Sequence, residues 1–320
     1  MGEPTLGAVA IGRNEGDRLR ACLRSLVPLC QRVVYVDSGS GDDSVAFARS
    51  LGVTVVELDR NRPFTAARAR NAGFEALLQG GELDLVQFVD GDCRVEADWL
   101  GAGAAALQDD PELGLVTGWR SEIRPTASVY NQMCEVDWHR PAGPIATCGG
   151  DMMVRVAAFR QIGGFDPGVI AAEDDEFCLR LAKAGWKLLR LPKQMTWHDA
   201  DMTRFGQWWK RTIRNGHGFA QVGAMHPPHF RREKLRVWVY GLVLPLLFLL
   251  GLFVSGWLSV AVLALYALSF WKTWRGLKDR PMAVEQAALL TLAKIPSLWG
   301  MLTYFRRRQR GDDMHIIEYK

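Results

Sequence analysis

The sequence predicts an α/β fold, a mainly parallel sheet with flanking helices, followed by C-terminal apolar helices. Three observations predict it. Short β-rich runs alternate with helical patterns through the first half, the signature of a parallel sheet covered on both faces. Those runs are nearly all apolar, as strands buried on both sides must be. Near the C-terminus, Val237–Trp271 is a stretch of 35 uncharged residues.

The β-rich runs are Gly7–Ile11, Val33–Asp37, Val53–Glu57 and Leu85–Asp90. Helical patterns lie between them, near Asp17–Val27, Asp42–Leu51 and Thr65–Leu78. From Trp119 to Gly150 the composition reads as loop-rich. A short helix is expected at Arg155–Ile162, then a Gly163-Gly164-Phe165-Asp166 turn. A further helix from about Ala172 to Ala184 would end at Gly185. As helix, the uncharged stretch would be roughly 52 Å long, too long for one membrane span and enough for two short ones. Ser255-Gly256 divides it, and Lys or Arg residues flank both ends. That pattern predicts a hairpin with both ends in the cytoplasm. The later apolar stretch Gln286–Phe305 holds Lys294 and Pro296 and ends in Arg306-Arg307-Arg308. It reads as a helix lying in the interface, with a third span as the alternative.

At 320 residues, 48% hydrophobic, the chain is long and apolar enough for a sizeable core. Its six cysteines include no CxxC pair, which argues against a zinc knuckle and fits a reducing compartment. The net charge of +4 is very unevenly spread: −8 over residues 1–203, +7 over 204–236, none over 237–271 and +7 over 272–310. Basic residues flanking an apolar stretch suit membrane lipid rather than nucleic acid. Neither GxGxxG after the first strand nor GxxxxGK[ST] is present, which removes the dinucleotide fingerprint and the P-loop.

Several clusters can carry chemistry. Asp90-Gly91-Asp92 closes an apolar run; carboxylates at a strand end can hold a divalent ion that bridges a diphosphate, or form a solvated turn. Asp37 ends another strand before Ser38-Gly39-Ser40-Gly41, where it can accept from a base or ribose, or simply shape a strand-to-helix turn. Arg68 and Arg70 sit in an apolar helix and can neutralise a diphosphate or face solvent. Glu173-Asp174-Asp175-Glu176 opens a helix; acids there suit the helix dipole, and burial or repulsion can turn one into a general base. His198 follows a strand-like run and is either structural or a ligand.

In this order the pieces resemble a family 2 glycosyltransferase of the GT-A fold, a Rossmann-like mixed sheet, over about residues 6–220. Ala10-Ile11-Gly12-Arg13-Asn14-Glu15 resembles the family's opening strand and Asn-Glu turn. Val36-Asp37-Ser38-Gly39-Ser40, Arg70-Asn71-Ala72-Gly73 and Asp90-Gly91-Asp92 resemble its next three motifs. Gly149-Gly150-Asp151-Met152 resembles its segment beside the acceptor, and Gly163-Gly164-Phe165-Asp166 with Glu173-Asp174 its Gly-Gly-Phe-Asp and Glu-Asp pair.

The resemblance implies a UDP- or GDP-sugar donor, Mn2+ or Mg2+, and an inverting displacement. It implies donor binding by Ala10, Arg13, Glu15, Asp37, Arg70, Asn71 and Asp90, and metal binding by Asp92, Asp90 and His198. Asp174 would deprotonate the acceptor, with Glu173 beside it; Gly150, Asp151, Trp208 and Trp209 would lie on the acceptor side. The processive synthases' Gln-x-x-Arg-Trp is not matched by Gln207-Trp208-Trp209-Lys210-Arg211, which speaks against polymer synthesis.

The expected organisation is a transferase domain over residues 1–203, a basic amphipathic interfacial segment over 204–236, a membrane hairpin over 237–271, and an interfacial helix with a basic tail over 272–320. The expected activity moves a sugar to a lipid-linked or cell-envelope saccharide at the cytoplasmic face of the membrane. Polyprenyl phosphate as acceptor, or a membrane-tethered sugar-nucleotide binder without turnover, are the alternatives.

Overall fold

A computed structural model describes residues 4–318; residues 1–3 and 319–320, which bound the first and last expected segments, lie outside the described residues. The chain forms two compact units, one of residues up to 124 with 134–200, the other of 125–133 with 201 onward.

In the first unit, β1 (Leu6–Gly12), α1 (Asp17–Leu26), β2 (Arg32–Asp37), α2 (Ser44–Ser50), β3 (Thr54–Glu57), α3 (Ala66–Gln79) and β4 (Leu85–Asp90) follow the expected alternation. Then come β5 (Cys93–Val95), α4 (Trp99–Asp109), β6 (Leu113–Glu122), the second half of α5 (Val129–Trp138), β7 (Gly143–Pro144), β8 (Met152–Arg155), α6 (Val156–Gln161), α7 (Glu173–Lys183) and β9 (Lys187–His198). The strands form one nine-stranded sheet in the order β3-β2-β1-β4-β8-β6-β9-β5, with β7 paired to β9. The half from β3 to β4 is parallel, as expected. The other half is mixed: β8 runs antiparallel to both β4 and β6, and β6 runs parallel to β9.

The expected loop-rich stretch is corrected here. It holds the end of β6, all of α5 and β7. Hydropathy hid β6 and α5 because buried polar residues interrupt them: Thr117, Ser121 and Glu122 in β6, Asn131 and Gln132 in α5.

Alternation along each strand builds two cores. Val9, Ile11, Val34 and Val36 face α3, α6 and α7 with Phe88, Phe159, Phe165 and Phe177. Ala8, Ala10, Val33 and Tyr35 face Leu19, Leu23, Leu26 and Trp99 on the opposite side. Gly73 lets α3 lie flush on the sheet, because a Cβ there would come within 2.3 Å of Val9 Cγ1 and 2.9 Å of Val36 Cγ2. The loops after β1, β2 and β4 therefore emerge at the carboxyl ends of parallel strands, where open α/β sheets bind ligands.

The second unit contains α8 (Phe205–Met225), α9 (Arg231–Trp238), a π-helical turn at Val239–Val243, α10 (Leu244–Val254), α11 (Gly256–Leu277), α12 (Ala283–Leu292) and α13 (Lys294–Arg310). Helix runs unbroken from Arg231 to Val254, and Ser255 adopts an extended conformation before Gly256 starts the next helix. Both Arg231–Val254 and Gly256–Leu277 are long and apolar enough to cross a membrane by length and composition. They meet closely at Gly251, where a Cβ would lie 2.4 Å from Ser259 Oγ.

The basic segment 204–236 comprises α8, a turn, and the first residues of the helix that begins at Arg231. The apolar stretch 286–305 is likewise two helices, parted at Ala293. α13 crosses α8 through small residues: a Cβ on Gly216 would lie 2.0 Å from Ser297 O, and one on Gly300 1.9 Å from Ile213 O.

Gly73→Ala adds a methyl to a filled space and is expected to cost about 1–3 kcal/mol, read as a lower denaturation midpoint of the full chain in detergent. Gly101, in α4, has nothing within 4 Å of an added Cβ. Gly101→Ala should therefore hold or raise the midpoint, by up to ~1 kcal/mol of helix propensity.

Candidate active site

The end of β4 is held from three sides. The Asp90 N–H donates to Asp151 Oδ1 at 2.9 Å, Asp90 Oδ1 accepts from Arg70 Nη2 at 2.8 Å, and Oδ2 accepts from both Nη atoms of Arg120 at 3.2 Å. Burial alone would raise the Asp90 pKa, but the Arg70 and Arg120 guanidinium groups outweigh it and hold the carboxyl below its ordinary value. Gly91 packs against the first strand, its N–H donating to Ile11 O at 2.7 Å; a Cβ there would lie 3.0 Å from that oxygen.

Two residues on, Asp92 has different company. β5 pairs antiparallel with β9 and sets Cys93 opposite His198. Asp92 Oδ2 lies 3.2 Å from His198 Nε2, while His198 Nδ1 lies 3.5 Å from Glu122 Oε2, and both side chains of the first pair are buried. Ligand atoms of Asp92, Cys93 and His198 lie within 4.8 Å of one another. A carboxylate oxygen, an imidazole nitrogen and a sulfur so close can serve one divalent ion, with Glu122 orienting the ring from its far side. The edge of Trp138 closes over His198, with ring centroids 4.3 Å apart.

At the neighbouring strand ends, backbone and side chains tie two loops together. Asn14, at φ +55°, accepts from Gly41 N at 2.7 Å through Oδ1, and its own N–H donates to Ser40 Oγ at 2.9 Å. Asp37 is 2% exposed; Oδ2 accepts from Gly39 N and Ser40 N, and Oδ1 from the Tyr35 hydroxyl. Ala10 is buried in β1, Glu15 pairs with Arg18 at 2.9 Å, and Arg13 is exposed beside the Phe64 ring.

α3 and α7 bring the third group. Arg70 is buried and donates to Glu173 Oε1 at 2.8 Å as well as to Asp90. Gly150 makes room for it, since a Cβ there would lie 2.1 Å from Arg70 Nη2. Asp174 Oδ1 accepts from Asp175 N at 2.9 Å. Its other oxygen looks toward exposed Gly149, 4.0 Å from the position of a Cβ there. Burial first, then the Glu173 and Asp175 charges, push the Asp174 carboxyl well above its ordinary pKa.

The other expected site residues have these surroundings. Asp90 lies beside the group of Asp92, Cys93 and His198, and both its oxygens accept from arginines. The Asn71 amide donates to Phe165 O and accepts from Phe165 N, closing the Gly-Gly-Phe-Asp turn. Asp151 is buried and accepts from Thr196 Oγ1 at 2.7 Å as well as from Asp90 N. In the second unit, Trp208 is buried beside Tyr130 and Phe205, which leaves Trp209 the more open of the two. Sequence reasoning missed Arg120, Glu122, Trp138 and Thr196. Arg120 and Glu122 lie just past the apolar run Leu113–Val116, in a polar stretch that reads as loop, so no sequence signal marked them.

Comparison with known proteins agrees with this geometry. Residues 9–162 match the family described as glycosyl transferase family 2, and residues 131–204 match the N-terminal domain of galactosyltransferase. The chain is 27% identical to the succinoglycan biosynthesis protein ExoA of Rhizobium meliloti (strain 1021), over 92% of this chain and 94% of that one. It is 29% identical to the pre-mycofactocin glycosyltransferase of Mycobacterium tuberculosis (strain ATCC 25618 / H37Rv), over 67% of this chain and 47% of that one. Among solved structures, the mannosyltransferase PcManGT from Pyrobaculum calidifontis, in complex with GDP-Man and Mn2+, superposes with a TM-score of 0.61 at 16% identity, covering 95% of this chain and 88% of that one. S. aureus TarS 1-349 in complex with UDP-GlcNAc gives 0.52 at 14% identity, covering 96% of this chain and 92% of that one. The strand-end acids, the acidic start of α7 and these matches converge on one conclusion: residues 9–162 form a family 2 glycosyltransferase region, of enzymes that use nucleotide-sugar donors, on a GT-A fold.

Proposed function

We propose that the protein moves a sugar, with inversion, from a UDP- or GDP-sugar to a hydroxyl of a lipid-linked or cell-envelope saccharide at the cytoplasmic face of a membrane. One observation carries the reading: buried Arg70 bonds both Asp90, at the end of β4, and Glu173, at the start of α7. The acid at the end of β4 and the Glu-Asp pair are thereby held next to each other.

In this reading the loops after β1 and β2, fastened by Asn14 and Asp37, form the nucleotide end of the cleft, and Arg13 offers an exposed cation there. Asp92 and His198, with Cys93 beside them, would hold Mn2+ or Mg2+. A divalent ion bound there supplies positive charge to the leaving diphosphate. Imidazole among the donors favours Mn2+ over Mg2+. Asp174 takes the proton of the acceptor hydroxyl as its oxygen attacks the anomeric carbon from the face opposite the leaving group. Its raised proton affinity suits that task, because a carboxylate works best as a base when its pKa approaches the working pH.

The helices Arg231–Val254 and Gly256–Leu277 are read as the membrane hairpin. They expose Leu246, Leu249, Phe253, Trp257 and Leu263, among others, and Lys or Arg residues flank both ends. α13 is read as interfacial: Ile295, Trp299, Leu302 and Phe305 are exposed, while Ser297, Gly300, Met301 and Tyr304 are buried. The basic run from Arg306 follows directly.

The test is nucleotide release from a panel of UDP- and GDP-sugars, with a membrane extract as acceptor and the anomeric configuration of the product determined. Transfer should stop with EDTA, return with Mn2+, and be abolished in Asp92→Ala; full activity in chelator would overturn the metal role. Free polyprenyl phosphate serving better than a lipid-linked saccharide would reassign the acceptor.

Asp174→Asn should slow transfer by about 10² to 10⁴, the usual worth of a general base, with donor affinity near normal. In the wild type, kcat/KM should rise with pH along a limb above the ordinary carboxylate range. The same substitution should affect stability in the opposite sense. A folded-state pKa above the unfolded value means that the folded chain binds more protons, so stability falls as pH rises through that window. Asp174→Asn should therefore melt higher than the wild type at neutral pH, the gap closing as pH falls toward about 4.

The full-length chain should resist carbonate extraction, with tags at both ends reached only from the cytoplasm. A tag labelled from outside would break the hairpin topology.

A further inference from the structure

Arg70 and Asn71 are consecutive on α3, and both reach the approach to α7. Asn71 grips Phe165 through donation to its carbonyl at 2.7 Å and acceptance from its N–H at 2.9 Å. Arg70 reaches Glu173, the first residue of α7, at 2.8 Å. The chain between these grips is the run from the Gly-Gly-Phe-Asp turn to the Glu-Asp pair. The other end of Arg70 is fixed by Asp90 at 2.8 Å. The Phe165 ring lies 5.4 Å from the guanidinium carbon, and the Gly150 backbone passes so close that no side chain fits there. With 2% of its side chain exposed and two carboxylates already bonded, Arg70 is poorly placed to bind a diphosphate.

We propose that Arg70 is a positioning residue: by clamping Glu173 to Asp90 it fixes the first turn of α7, so that Asp174 faces the acceptor at Gly149, and it does not bind the donor. Glu173 then acts through Arg70 and is not a second base. Asn71 fastens the same segment one step earlier in the chain. The proposal rests on the reading of Asp174 as the base.

A cation shared by two buried carboxylates fixes their separation in a way that a flexible surface pair cannot. The two Nη atoms of a guanidinium diverge at a set angle, and each here bonds a different element. If the clamp is lost, α7 keeps its fold through Phe177, Cys178 and Leu181, which are all buried, but its first turn loses its tether. A misplacement of the base by about 1 Å can cost roughly 10²-fold in rate.

The experiment uses the full-length enzyme with the donor accepted by the wild type, and measures kcat alongside the Kd of the matching nucleoside diphosphate by titration calorimetry. Arg70→Met is expected to lower kcat by about 10²-fold and to leave the nucleotide Kd within roughly threefold. Arg70→Lys, whose ammonium keeps the charge but not the fork, should fall between it and the wild type. Glu173→Gln should repeat the same split. The Arg70→Met, Glu173→Gln double variant should be no slower than Arg70→Met alone, because the two residues act as one unit. Gly150→Ala displaces Arg70 without changing any charge, and should also lower kcat at constant nucleotide Kd; it keeps the test decisive if Arg70→Met fails to fold.

A nucleotide Kd weakened by about tenfold or more with kcat retained would make Arg70 a diphosphate ligand and overturn the proposal. Multiplying losses in the double variant would overturn it as well. Failure of the underlying reading looks different: Asp174→Asn would then turn over at the wild-type rate, whatever the Arg70 variants do.

Discussion

A buried arginine shared by two carboxylates is the constraint on which the rest of the first unit depends. Arg70 bonds Asp90 and Glu173, and Arg120 engages the other oxygen of Asp90. The resulting row, Arg120, Asp90, Arg70, Glu173, alternates in sign from the middle of the sheet to the start of α7. Removing one partner of a buried ion pair typically costs about 3–5 kcal/mol, because it strands the other charge. The surrounding backbone is shaped to that row. Gly150 passes flush over Arg70, Gly73 lets α3 lie close on β1 and β2, and Asp151 holds the Asp90 N–H from below.

The same row explains why three nearby acids behave differently. Asp90 has two guanidinium partners, and its carboxyl is held below the ordinary range. Asp174 has burial and two neighbouring carboxylates, and its carboxyl is pushed well above it. Asp92 sits against His198, 3.2 Å from its Nε2. Carboxylates whose environments drive their proton affinities apart can divide roles within one cleft. One stays ionised in the framework, and the other can exchange a proton in the proposed reaction.

In the second unit, packing is set by small residues rather than by charge. Gly216 and Gly300 bring the α8 and α13 backbones together, and Gly251 does the same for α10 and α11 at Ser259. Close approach of this kind needs a residue without a side chain at the contact. The large apolar side chains of α10 and α11 are correspondingly turned outward.

The sequence by itself determined the alternating elements of the first half, the apolar strands and the break at Ser255 between two long apolar helices. These are local properties, carried by periodicity, composition and chain-breaking residues within a few positions. It also marked Asp90-Gly91-Asp92 and Glu173-Asp174 as acids at element ends. Only the tertiary structure decided what each of them touches. Arg70 and Glu173 are 103 residues apart in the chain, and His198 and Glu122 are 76 apart. β6 and α5 stayed illegible for the same reason: their buried polar residues look like loop until Glu122 meets Ala200 N, and Asn131 meets Met202 N, from far along the chain. A short motif lists charges, but their partners, burial and proton affinities are set by segments that meet only after folding.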